Sequence, residues 1–338
     1  MTVQMILHNL AQTLMQTLST WLQPGSIFSV QALLSALIIT IAFYALRKPR
    51  RRFPQMEAWR RLLFPKKFVQ SRSTRVDLVY YLINTFVAGG LIGWAILSLP
   101  QTSQAVTTFV NGATGPHPPL IANPWLAQAV MTLVLFLAYD FSYWLDHYLK
   151  HVIPALWPFH RVHHTAELLT PLTATRVHPV DTLIFANIQV LVMGAVNGAL
   201  HAALGDAVSS FTIGATNVIV VVFLYTVIHL QHSHVPIRFT GVWGRIFFSP
   251  AHHHIHHSSD PAHYGHNMGS CLAIWDAMFG TLYMPDRVTR PLAYGAESEG
   301  EDPHSLTGGL LFPFRQVMDL ARPQRIDAPQ AGAPTTAS

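Results

Sequence analysis

The chain has 338 residues, 50% hydrophobic and only 11% charged, with a net charge of +5. A soluble globular chain carries about a quarter charged residues, so this balance excludes an ordinary soluble domain and points to a polytopic membrane protein. The single cysteine, Cys271, excludes an internal disulfide framework and a thiolate zinc site.

Residues 1–26 open with Val3, Leu7, Leu10, Leu14, Leu18 and Trp21 at helical spacing, opposite Gln4, Gln12, Gln16 and Ser19. This predicts an amphipathic helix lying in the membrane interface or packed on the bundle. Residues 1–22 lack the Lys or Arg of a signal peptide's n-region. A first span is expected over Ile27–Leu46. A basic segment follows, with eleven Lys or Arg between Arg47 and Arg75, and this unit closes near residue 76. Nucleic-acid binding is the rival reading of such a run, but a flanking span accounts for it better through the positive-inside rule.

Further spans are expected over Leu78–Leu99 (closed by Pro100), Pro124–Leu145, Thr182–Leu204 and Phe211–Leu230, each near the ~20 residues that cross a bilayer. The loop at 101–122 contains no Asp, Glu, Lys or Arg. The last two spans are open to a second reading as a shallow hairpin. The expected fold is thus an all-α integral membrane protein of four to five transmembrane helices. Leu272–Met284 forms a cytosolic helical cap. Residues 77–290 are expected to form one domain and 291–338 a flexible C-terminal tail.

Seventeen of twenty histidines fall between His147 and His266. Three clusters have metal-ligand spacing: His147-x-x-x-His151, His160-x-x-His163-His164 and His253-x-x-His256-His257. On a helix, positions i and i+4 share a face. Two HxxHH helices can therefore supply nitrogen for two ions. Orientation set by the Lys/Arg asymmetry alone places all three clusters, with His178 and His232, on the cytoplasmic face. His232 is the best ninth ligand, and His178, His229 and His234 are further candidates. Neutral imidazole suits Zn, Fe, Cu and Ni. Eight to ten rings exceed the four of a structural zinc site and suggest two ions. A metal transporter would place ionisable groups at mid-bilayer, and a bis-histidine haem protein needs few axial ligands; neither pattern fits.

The order HxxxH, HxxHH, HxxHH after membrane spans resembles the membrane fatty acid hydroxylase/sterol desaturase superfamily. Asp140-Phe-Ser-Tyr-Trp144, Leu156-Trp157, Arg176-Val-His178-Pro179, Ser249-Pro250, Asn267-Met-Gly269 and Trp275-Asp276-Ala-Met-Phe279-Gly280-Thr281 match its accompanying elements over residues 75–285. Tyr148, where many members carry Arg, and Met268, where many carry Tyr, depart from the pattern.

The resemblance implies a di-iron lipid hydroxylase with residues 77–290 as its catalytic domain, and desaturation is the runner-up. Its implied ligands are His147, His151, His160, His163, His164, His253, His256 and His257, with His232 and His178. It further implies two non-haem ferrous ions, O2 as co-substrate, a lipid substrate taken from the bilayer, and no nucleic acid. Electrons would come from a separate donor of the cytochrome b5 or ferredoxin/reductase type. The expected location is a bacterial inner membrane with the metal site facing the cytoplasm. Asp140, Glu167 and Asp276 are the expected acceptors for ligand N–H groups.

Overall fold

The apolar runs become helices, and capping side chains mark where several of them begin. The computed structural model describes residues 15, 19, 21–26, 28–47, 65–88, 95–115, 117–288, 290–296 and 301–322. Most of the expected N-terminal amphipathic helix, most of the basic segment and the end of the tail lie outside them. The described helices are α1 (Val30–Arg47), α2 (Lys66–Gln70), α3 (Arg72–Ile83), α4 (Leu99–Thr114), α5 (Pro124–Val152), α6 (Trp157–His164), α7 (Pro179–Leu204), α8 (Val218–Phe223), α9 (His229–Gln231), α10 (Gly241–Ile246), α11 (Pro250–His256), α12 (Ile274–Phe279) and α13 (Leu306–Leu320). One two-residue hairpin, Thr212–Ile213 against Thr216–Asn217, is the only sheet among the described residues.

Helix α5 sets the scale. Asn123 caps it by accepting from the Leu126 amide (3.1 Å), and Pro124 occupies its first turn. Its 29 residues extend about 43 Å, more than the ~30 Å hydrocarbon core. The final turns therefore carry His147 and His151 beyond the apolar stretch, in the same continuous helix. Helix α7 packs along it. Pro179 and Asp181 occupy the first turn of α7, with His178 as its cap.

Three expected boundaries are corrected. The second span, Leu78–Leu99, is not one helix: α3 passes into a π turn at Asn84–Ala88. Pro100, expected to end a span, instead opens α4, because proline fits the first helical turn and Ser98 caps it. Most of the expected loop at 101–122 is therefore helical, as part of the 16-residue helix Leu99–Thr114. That helix packs on α7 through Gly194 and Gly198. A β-carbon on Gly198 would lie 2.4 Å from the Ser103 carbonyl oxygen, so only glycine allows this approach. Thr107 Oγ1 uses it to donate to the Gly198 carbonyl (3.0 Å).

The fifth span is also shorter than expected. The hairpin turns at Gly214 (φ 63°), and Asn217 caps α8 by accepting from the Ile219 amide (2.9 Å). Of the four to five expected spans, α5 and α7 are the two described helices long and apolar enough to cross a bilayer. Val30–Leu46 and Val218–Gln231 are shorter apolar stretches.

Part of the expected flexible tail is structured. Ser305 caps α13, and this helix packs on α6 through Phe314, whose ring meets those of Phe159 and His178.

Candidate metal centre

Nine buried or half-buried imidazoles converge in two groups. His147 and His151 of α5, His160 and His164 of α6, and His256 of α11 form a five-ring group. His163 of α6, His232 just after α9, His253 of α11 and His257 just after it form a four-ring group. Within each group the ligand nitrogens all lie within 4.8 Å of one another.

The two HxxHH motifs interleave. In α6 the i and i+4 rings, His160 and His164, join the five-ring group, while the i+3 ring, His163, turns to the four-ring group. In α11 the roles reverse: His253 and His257 face the four-ring group and His256 the five-ring group. The cause is helical geometry. Positions i and i+4 differ by about 40° around the axis, whereas i+3 and i+4 differ by about 100°. One motif therefore serves two centres, and two facing motifs serve both.

The nitrogens are placed as ligands rather than as hydrogen-bond partners. Nε2 atoms of His163 and His232 lie 3.1 Å apart, those of His232 and His253 2.9 Å, and those of His253 and His257 3.1 Å. In the five-ring group His164 Nε2 lies 3.1 Å from that of His256 and 3.3 Å from that of His160. Two nitrogens bound at ~2.1 Å and at right angles to one ion are about 3.0 Å apart. His147 Nε2 and His151 Nε2 are buried with no hydrogen-bond partner among the described residues. Such orphaned atoms are costly unless an ion satisfies them, so the donor set fits two nitrogen-ligated metals.

Outer contacts hold three rings of the five-ring group. Nδ1–H of His147 donates to the Met268 carbonyl (2.9 Å), that of His160 to Asp181 Oδ2 (2.8 Å), and that of His256 to the His266 carbonyl (2.9 Å). Each leaves Nε2 as the free lone pair. Asp181 Oδ1 pairs with buried Lys150, which also binds Asp146 Oδ2 at 2.6 Å. Burial, then neighbouring imidazoles, hold His163, His164, His253 and His257 well below the ordinary imidazole range. For His256 burial brings the value to about 3. The site thus keeps neutral rings, the form that binds metal.

The expected acceptors are revised. Asp276 takes the Met268 amide (2.8 Å), the Gly269 amide (2.9 Å), Trp144 Nε1 (3.1 Å) and Thr281 Oγ1 (2.5 Å). It reaches His147 only by fixing the loop whose Met268 carbonyl accepts from that ring. The contact is through backbone, so a Met at this position costs the ligand nothing. Asp140 similarly fixes the Cys271 and Leu272 amides (2.8 and 3.1 Å) and Trp275 Nε1 (2.9 Å). Glu167 faces solvent and His304 (3.1 Å). The carboxylate that does meet a ligand is Asp181. Its one sequence signal is its place three residues after His178, in the first turn of an apolar helix.

His178 is the candidate ligand that stands outside both groups. Its Nδ1 accepts from the Val180 amide (3.1 Å) and its Nε2–H donates to the Leu310 carbonyl (3.1 Å), so both nitrogens are used in capping α7 and latching α13. His229 and His234 also lie outside the groups. Within the same Arg-x-His-Pro element, buried Arg176 binds Val162 O (3.1 Å), Asp77 Oδ1 (3.1 Å) and Pro303 O (2.8 Å), tying the end of α6 to α3 and the C-terminal segment.

A cavity of about 380 Å³ opens onto His147, His160, His163 and His232, walled by apolar side chains that include Leu33, Val177, Phe185 and Ile228. A second cavity of about 370 Å³ reaches His151, His164, His256 and His257 beside Trp157 and Tyr264, and shares no lining residue with the first.

A helical protein with a two-group histidine centre beside an apolar cavity is the class that fold and site define. Residues 132–281 match the family described as Fatty acid hydroxylase. It is 28% identical over 212 residues to the ornithine lipid hydroxylase OlsE of Rhizobium tropici, covering 61% of this chain and 59% of that protein. It is 26% identical over 193 residues to an alkylglycerol monooxygenase of Caenorhabditis elegans, covering 57% and 34%. It is 27% identical over 162 residues to that of Danio rerio, covering 47% and 32%. The match thus spans 59% of the first relative and about a third of the other two. No solved structure matches it.

Proposed function

We propose that this protein is a membrane-bound di-iron oxygenase that hydroxylates an unactivated C–H bond of a lipid, using O2 and electrons from a separate donor. The observation that carries the reading is the meeting of nine convergent imidazoles with an apolar-walled cavity. The names of the similar proteins, an ornithine lipid hydroxylase and alkylglycerol monooxygenases, support a lipid substrate and hydroxylation.

The five-ring group and the four-ring group would each hold one iron, and bound iron would supply the activation of dioxygen. The chain's own residues do the rest. Helices α1, α5 and α7 and the segment around α9 form the walls of the first cavity, which admits the lipid from the bilayer and excludes water from the reacting carbon. Asp181 and the Met268 and His266 carbonyls orient ligand rings. The second cavity offers O2 and the electron donor a separate approach from the cytoplasmic side.

The test couples metal and product. Iron quantification with a haem assay should find two non-haem irons per chain. Lipid mass spectrometry of cells with and without the gene should find a lipid gaining one oxygen. A loss of two hydrogens would identify a desaturase, and haem iron or no lipid change would refute the oxygenase.

A further inference from the structure

His229 stands on the wall of the first cavity and belongs to neither metal group. It is 8% exposed, and neither ring nitrogen has a hydrogen-bond partner among the described residues. The Leu224 carbonyl lies near enough to favour a proton on the nitrogen facing it without reaching hydrogen-bond geometry. The other nitrogen is then a bare acceptor. Leaving such a group buried and unpaired is costly, so the cavity is built for a ligand that brings a donor.

The backbone aims this ring. The π turn Leu224–Ile228 ends immediately before His229, and single π turns of this kind re-aim side chains at functional sites. Its Tyr225 carbonyl is taken by the Ser35 hydroxyl of α1, which closes the cavity on that side. His232, a ring of the four-ring group, follows three residues later, roughly 4.5 Å of helical rise away. A second atom lining the cavity lacks a partner: Asp146 Oδ1, whose other oxygen is paired with Lys150.

Resting on the oxygenase reading, we propose that His229 is a substrate-positioning residue that accepts a hydrogen bond from a hydroxyl or amide N–H of the lipid. The oxidised carbon then lies within a few bonds of that polar group, near the head of the lipid rather than far along its chain. A second donor on the substrate has Asp146 Oδ1 on the same cavity lining as an unpaired acceptor.

The experiment uses the full chain loaded with zinc, which occupies imidazole sites without redox turnover. The probes are a long-chain 1,2-diol and its dimethyl ether. The wild type should bind the diol about tenfold more tightly. His229→Leu should erase that preference while keeping two metals per chain, and His229→Gln, which retains an acceptor, should restore most of it. In the iron form, His229→Leu should raise KM for the diol more than it lowers kcat, and the wild type should place oxygen close to the diol. Equal binding of both probes by the wild type, an unchanged preference in His229→Leu, or loss of a metal from that variant would overturn the assignment. Preferential binding without turnover of any lipid would instead overturn the oxygenase reading and leave the polar contact standing.

Discussion

Asp181 illustrates how one side chain couples charge to metal geometry. It accepts from His160 and pairs with Lys150, so it orients a ligand ring and balances a buried cation together. Asp181→Asn should therefore lower metal affinity about 10- to 100-fold, read as iron retained per chain through a chelator series. His163→Ala and His256→Ala remove one ring from each group. Each should lower iron content and abolish turnover, while exposed His117→Ala should do neither. The rings also set a pH response. Folded His256 resists protonation down to about 3, against 6.5 in the unfolded chain. Between those values the unfolded chain binds more protons, so stability is lost as pH falls through that window. Thermal melts of the metal-free protein should show a falling midpoint as pH is lowered from 6.5.

Glycine on α7 governs how two helices meet. Gly198 brings α7 against α4, with a Cβ position only 2.4 Å from backbone oxygen. Gly198→Leu should separate the pair and destabilise the protein by about 1–3 kcal/mol or more, seen as a lowered melting temperature in detergent. Helix α13 is a second test. Its Leu310 carbonyl takes the His178 ring and its Phe314 covers Phe159 on α6. Deleting residues 306–338 should lower the melting temperature and loosen α6, reducing iron content although no ligand is removed. The opening of α4 at Pro100 carries a general point at this scale. Proline ends a helix from within but favours the first turn, and an apolar sequence does not say which applies until Ser98 is seen capping the next helix.

For the whole molecule, the proposal is a bilayer crossed by α5 and α7 with the metal centre on the cytoplasmic side. Cysteine labelling tests it. With Cys271 replaced, Ser209→Cys, in the connection after α7, and Asp286→Cys, near the histidine-bearing α11, should label from opposite sides of the membrane. Labelling of both from one side would remove the proposed topology.

The sequence by itself determined the histidine-bearing segments and the resemblance to a family. The i, i+3, i+4 spacing is local, and helical geometry alone puts such rings on neighbouring faces. Eight clustered histidines and His232 were legible for that reason. Which ring joins which group was not, because it depends on how α5, α6, α9 and α11 face one another. His178 looked like a ligand because its motif lies beside the array, yet the tertiary fold spends both its nitrogens on a helix cap and on α13. The acceptors behind the rings were hidden for a related cause. Two are backbone carbonyls, which every residue carries, and the third, Asp181, reaches His160 only through long-range packing. Local periodicity can place a side chain on a helix face, but only the packed chain decides what that face meets.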